Sequence, residues 1–155
     1  MLAVKFSTLV LLLAITSASI AAEIVDIEFA NSQGVKFRTT TLASDLRTGM
    51  GYDLSDVQLL LIETPALDAD SFREQNYELH RFGSRVEEFK VMYVVACTED
   101  EFSFGHHTTT QVATELAGNS ARFRIRLLDA RGLVKAESID PVTENELVDW
   151  LSNSN

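Results

Sequence analysis

Apolar and polar residues alternate over two short stretches near the start of the chain. Over 24–29, Val25, Ile27 and Phe29 alternate with Asp26 and Glu28; over 35–41, Val35 and Phe37 alternate with Lys36 and Arg38. A period of two marks a half-buried strand. Asn31, Ser32, Gln33 and Gly34 between the stretches carry turn chemistry, so the pair reads as a hairpin. A loop is expected next, with Gly49 and Gly51 flanking Met50. Leu59, Leu60, Leu61 and Ile62 then run without a polar interruption until Pro65 ends the segment, the pattern of a strand covered on both faces.

Residues 71–82 read as a helix. Ser71 and Glu74 have the spacing of a capping box, and Asp68 and Asp70 lie near its positive start. Phe72, Leu79 and Phe82 share one face, and Gly83 supplies a stop. Residues 91–96 form a second wholly apolar strand. Two such strands joined by a helix predict a parallel strand–helix–strand unit. Residues 109–117 read as a shorter helix with Val112, Ala113 and Leu116 inward and Gly118 closing it. Phe123, Ile125 and Leu127 then share one strand face, with Arg122, Arg124 and Arg126 on the other, before a turn at Asp129, Ala130, Arg131 and Gly132. Pairing Leu128 with Leu133 predicts Ile125 opposite Ala136 and Arg124 opposite Glu137, an attractive cross-strand pair. A last helix starts at Thr143, where Glu146 completes a capping box and Leu147, Val148 and Leu151 form the apolar stripe beside Trp150.

The opening residues fit none of these elements. Lys5 and the amino terminus precede an apolar run over 9–15, and Ser19 and Ala21 place small residues where a signal peptidase cuts. The run is shorter than the roughly 20 residues that span a bilayer, and no cysteine near the cut offers a lipid anchor. The expected organisation is a signal peptide over 1–21 and one domain over 22–155, with an N-terminal hairpin extension at 22–58 and a core at 59–152. The destination is secreted or periplasmic, with no stable membrane insertion after cleavage. With 13 basic and 23 acidic residues, the 155-residue chain carries −10 at pH 7. Loss of Lys5 and no acid leaves 12 against 23, or −11, which a nucleic acid would repel. One cysteine excludes an internal disulfide and any multi-cysteine metal site.

From Leu59 to Leu151 the predicted order is strand, helix, strand, helix, strand, strand, helix. That order resembles the α/β thioredoxin fold, a mixed sheet flanked by helices, and the leading hairpin resembles the extension of secreted members. The LLLIETPALDADSFREQ segment, the apolar strand ending at Cys97, the FRIRLLDARGLVK hairpin and the TENELVDWL helix are similar to the secreted thioredoxin-like family called domain of unknown function 4174. Where redox-active thioredoxins carry Cys-x-x-Cys, this chain reads Thr64, Pro65, Ala66, Leu67, Asp68; where they carry a cis-proline, it reads Asn119, Ser120, Ala121. Thiol–disulfide exchange needs an attacking thiolate and a resolving thiol, so disulfide oxidoreductase activity is not expected. The expectation that follows is a chain that is not an enzyme.

Each remaining candidate for chemistry has a bland counterpart. Cys97 ends a buried strand and reads as a packed thiol, with pairing between chains the alternative in an oxidising compartment. The acids at Glu99, Asp100 and Glu101 oppose a thiolate there. His106 and His107 with Glu101 form the one metal-like cluster. Adjacent histidines on a regular strand point to opposite faces, so the competing reading is a solvated loop. Arg122, Arg124 and Arg126 could hold a carboxylate or phosphate; internal pairing with Glu137 and with acids of a covering helix competes. His80, beside Arg81, reads as a surface histidine. The leading expectation is a binding domain with no cofactor and another protein as partner. Its contact is the groove at Thr64, Pro65, Ala66 and Leu67, where the catalytic members of the fold hold their substrate chain. Metal handling at His106 and His107, and small-anion binding at the arginines, are the alternatives.

Overall fold

The structure is a computed structural model that describes residues 22–30, 33–85, 89–97, 102–104, 108–110 and 122–154. Its centre is a four-stranded mixed sheet. Strand β3 (Gln58–Thr64) pairs in parallel with β4 (Val91–Cys97), joined by helix α2 (Asp70–Phe82). On its other side β3 pairs antiparallel with β7 (Arg124–Leu128), which forms a hairpin with β8 (Val134–Ser138). Every residue of β3 is buried, as its unbroken apolar pattern predicts for a strand covered on both faces.

Alternation along β3 and β7 divides the core. Leu60, Ile62, Ile125 and Leu127 face the helical side, where they pack with Phe72, Leu79 and Phe82 of α2 and Leu147 and Leu151 of α3 (Glu144–Ser152). Leu59, Leu61, Val94, Ala96 and Leu128 face the opposite layer, built from the N-terminal residues Val25, Ile27, Phe29 and Phe37 and helix α1 (Leu42–Met50). Phe29 and Phe37 stack at 5.5 Å across the hairpin of β1 (Glu28–Ala30) and β2 (Lys36–Arg38). The segment before β1 also joins the main sheet. Val25 N–H donates to Gly132 O at 2.8 Å, and Val134 N–H donates to Glu23 O at 2.9 Å, so residues 23–25 add a rung at the start of β8.

Several local expectations are corrected. The stretch around Met50 is the end of α1, not a loop. Leu42 and Leu46 lie one turn apart and are buried, and Gly51 at φ 75° closes the helix in the left-handed conformation that glycine adopts without strain. Ala69, not Ser71, stands at the N-cap of α2, and no side chain caps it. The α-helix does end at Phe82 with Gly83 at its C-cap, and the chain then tightens into a 3-10 turn over Gly83–Arg85. Thr109 does not open a helix. Thr108–Thr110 is strand β6, paired antiparallel with β5 (Phe102–Phe104), in keeping with the strand preference of three consecutive β-branched residues. Residues 111–118 of the expected helix lie outside the described residues, as do Asn31 and Ser32 of the expected turn.

The β7–β8 register also differs from the expected one. The hairpin closes on Asp129, whose N–H donates to Leu133 O while its carboxylate accepts from the N–H groups of Arg131 and Leu133. That shifts the ladder by one residue, and an irregularity between Leu127 and Leu128 shifts it by one more. Ile125 therefore faces Ser138, and Arg126, not Arg124, faces Glu137. At Thr143 the capping box forms as read: the hydroxyl accepts from Glu146 N–H, and the Glu146 carboxylate accepts from Thr143 N–H.

Candidate functional site

The parallel strands β3 and β4 end side by side, with Thr64 level with Cys97. Antiparallel β7 begins at the same end, with Arg124 level with Glu63 and exposed Arg122 just before it. This end of the sheet gathers four of the expected binding residues, Thr64 to Leu67, with the thiol and two of the three arginines. Thr64 is buried, and its hydroxyl donates to Ala66 O at 2.8 Å. Cys97, half-buried, donates from Sγ to Pro65 O at 3.8 Å, a contact that only the protonated thiol makes. Pro65, Ala66 and Leu67 remain half-exposed at the mouth, and Leu67 leans on the helical-side core.

Arg126 is not at this mouth. It lies under the N-terminal layer at 2% exposure, beside Glu63 at 1%. The Glu63 Oε2 atom accepts from Arg124 Nε at 2.8 Å and from Arg126 Nη2 at 3.1 Å. Glu23 Oε1 accepts from Arg126 Nη1 at 2.8 Å. Two guanidiniums thus meet two carboxylates. Burial works against the charge of Arg124, but the hydrogen bond and charge of Glu63, with help from Glu23 and Glu137, outweigh it and raise its pKa. Glu63 Oε1 and Arg126 Nε are buried without hydrogen-bond partners. Arg124 and Arg126, for which pairing with Glu137 and a covering helix was the competing reading, hydrogen-bond to a neighbouring strand and the N-terminal segment, Glu137 adding only its charge. Both are occupied by carboxylates of the chain itself.

Strand order, the covering helices and the parallel β3–α2–β4 unit invite comparison with solved structures. The chain matches the crystal structure of Peroxidoxin BcpB from Mycobacterium tuberculosis at a TM-score of 0.52, covering 86% of this chain and 97% of that one, with 9% identity. The chain has a thioredoxin fold. No protein-family model and no curated protein matches it. At so low an identity the likeness of this thioredoxin-like chain to the peroxidoxin is one of fold. It nevertheless corrects one expectation, that the chain is not an enzyme. The expectation rested on a missing Cys-x-x-Cys, and a chain of this same fold is a peroxidoxin, so the missing motif does not exclude an enzyme.

Glu63 and Glu23 are the site residues that the sequence reading passed over. Glu63 carried a signal: a carboxylate directly after four buried apolar residues in a strand covered on both faces needs a counter-ion. His106, His107 and Glu101 lie outside the described residues, as do Glu99, Asp100 and residues 119–121. Among the described residues no group of three or more His, Cys, Asp or Glu is placed to hold a metal ion, and no helix is long and apolar enough to cross a membrane.

Proposed function

We propose that this chain is an exported thioredoxin-like domain that binds an extended segment of another protein at the mouth formed by residues 64–67. The observation that carries the reading is a loop pinned from within. The Thr64 hydroxyl and the Cys97 thiol both bond to loop carbonyls, while Pro65, Ala66 and Leu67 stay half-exposed. A preformed apolar surface loses little freedom on binding. It also stands at the carboxyl ends of the parallel strands, where open α/β sheets hold ligands. The leader pattern over 1–21 supports export. The test compares the tagged protein with its Leu67→Asp variant, after an unfolding curve has shown that both are folded. One protein retained near equal stoichiometry by the parent and lost by the variant supports the mouth; equal retention by both discards it.

One observation favours a second reading. The chain's single thiol stands at this same mouth, in a fold shared with a peroxidoxin. In that reading the Cys97 thiolate attacks a hydroperoxide oxygen, the O–O bond breaks, and the alcohol leaves with a proton. Cys97 becomes a sulfenic acid; one external thiol condenses with it to a mixed disulfide, releasing water, and a second frees the Cys97 thiol, the two leaving as their own disulfide. Mass spectrometry after one equivalent of hydroperoxide decides it. Oxygen transfer to Cys97 faster than to free cysteine supports the reading, and a rate no greater ends it.

A further inference from the structure

A second concavity lies at the opposite end of the sheet from the mouth, where β3 begins, β7 turns into β8 and the chain leaves α3. It is an open-sided depression of about 260 Å³ lined by Ser55, Asp56, Gln58, Asp129, Ala130, Arg131 and Ser154. At about 30 Å³ per water molecule, that is room for about nine waters, or a ligand of similar bulk. Gln58 is 7% exposed, and its Oε1 has no hydrogen-bond partner. A buried amide oxygen without a donor is costly, so a polar group that turned this amide toward itself would recover part of that cost. Directly behind it stands Lys90, whose carbonyl accepts from Gln58 N–H at 3.1 Å. Lys90 is the one non-glycine residue with positive φ, at 48°, among the described residues. Strain of this kind persists where the surroundings hold it, often at ligand sites.

The polar groups of the cavity divide by what they already do. The Asp129 carboxylate accepts from two backbone N–H groups and from Arg131 Nη2. Asp56 accepts from Lys90 Nζ on both oxygens at 2.9 Å but stays exposed. Ser154 donates to Trp150 O and keeps its oxygen as an acceptor. What remains for a ligand is the Arg131 guanidinium, 81% exposed and held by one contact to Asp129, together with acceptors on Asp56 and Ser154 and the amide of Gln58 once it turns into the cavity. A lining that holds both an available cation and acceptors suits a molecule carrying both a carboxylate and an ammonium.

We infer that this cavity binds a small zwitterion of the free amino-acid class, its carboxylate on Arg131 and its ammonium toward Asp56 and the Gln58 amide. The site is independent of the mouth at 64–67 and of any partner bound there. The test is a ¹⁵N–¹H titration of the purified protein with a panel of amino acids, each beside its C-amidated form, and with glycerol and sorbitol. The expected result is saturable shifts at Ser55, Gln58, Ala130 and Arg131, weakened about tenfold by amidation, which corresponds to about 1.4 kcal/mol. Arg131→Ala, at an exposed side chain, leaves the protein folded. It should weaken the amino acid by a similar factor and leave the amidated form unchanged. Absence of saturable shifts at about 10 mM of every amino acid, a range that would detect even millimolar binding, overturns the proposal. So does polyol binding as tight as that of the zwitterions, or an undiminished response in Arg131→Ala.

Discussion

Glu63 shows why a single buried charge must be read with its partners. Alone at 1% exposure it would be intolerable; with Arg124 and Arg126 on one of its oxygens it is compensated. Removing one member of such a group leaves the others buried and unmatched, which costs about 3–5 kcal/mol. Glu63→Gln should therefore lower the unfolding free energy by about that amount in a urea titration. Arg126→Leu should cost less, because Arg124 still meets Glu63. The double variant Glu63→Leu/Arg126→Leu should recover much of the loss, since apolar replacement of a buried pair is often neutral. A double variant as unstable as Glu63→Gln would mean that shape, not charge, sets the cost. Gln75 poses the uncharged version of the problem. Its side chain donates to Val142 O at 3.1 Å and accepts from Val142 N–H at 2.8 Å, fastening α2 to the start of α3. Gln75→Leu strands both backbone groups and should cost about 1–3 kcal/mol by the same measurement.

At the scale of elements, glycines separate what space decides from what backbone decides. A Cβ at Gly51 meets nothing within 4 Å, but φ is 75°, so Gly51→Ala should cost only the left-handed penalty, about 1–2 kcal/mol. At Gly132, φ is 79° and a Cβ would stand 2.5 Å from Val25 O. Gly132→Ala should thus cost more and expose the amides of residues 23–25 to hydrogen exchange first, because the rung they make on β8 must open. Equal losses in the two variants would show that the N-terminal segment is not fastened there. These same details set the limit of what the sequence reveals. The uninterrupted apolar runs of β3 and β4, the helix between them and the capping box at Thr143 were legible, because their signals are local. Helix α1 was not, because Gly49 and Gly51 read as loop residues while Leu42 and Leu46 carried the real period. The β7–β8 register failed on a bulge and on an Asp129 turn that only closure of the hairpin selects. The site was half legible. Thr64 to Leu67 followed from strand order, but the partners of Arg126 lie 63 and 103 residues away, and no pattern along the chain joins them.

The molecule as a whole carries −10 at pH 7, and two opposed effects follow as acid is added. Protonating surplus carboxylates relieves self-repulsion, which favours the folded state. Against this, several carboxyls hold their protons less tightly when folded. Asp26 is lowered by its hydrogen bond from Arg38 and then Thr40, Glu28 by Lys36, and Asp56 by Lys90. At Asp129 burial pulls the pKa up, but the N–H groups of Arg131 and Leu133 outweigh it; at Glu146 the N–H and hydroxyl of Thr143 do the lowering. A group whose folded pKa is depressed stabilises fully above its unfolded value, about 4 for Asp and Glu, and loses that contribution as pH falls through the folded value. From pH 7 down to about 5 these groups stay ionised and only repulsion changes, so stability should hold or rise. Below about 4 the unfolded chain takes up more protons than the folded one, and stability should fall. Melting temperatures measured from pH 8 to about 3 should therefore pass through a maximum near pH 5. Asp129→Asn, which keeps an acceptor for the turn but cannot titrate, should flatten the acid limb. A melting temperature that climbs all the way to pH 3 would mean that self-repulsion, not the hydrogen-bonded carboxylates, governs the acid behaviour of the fold.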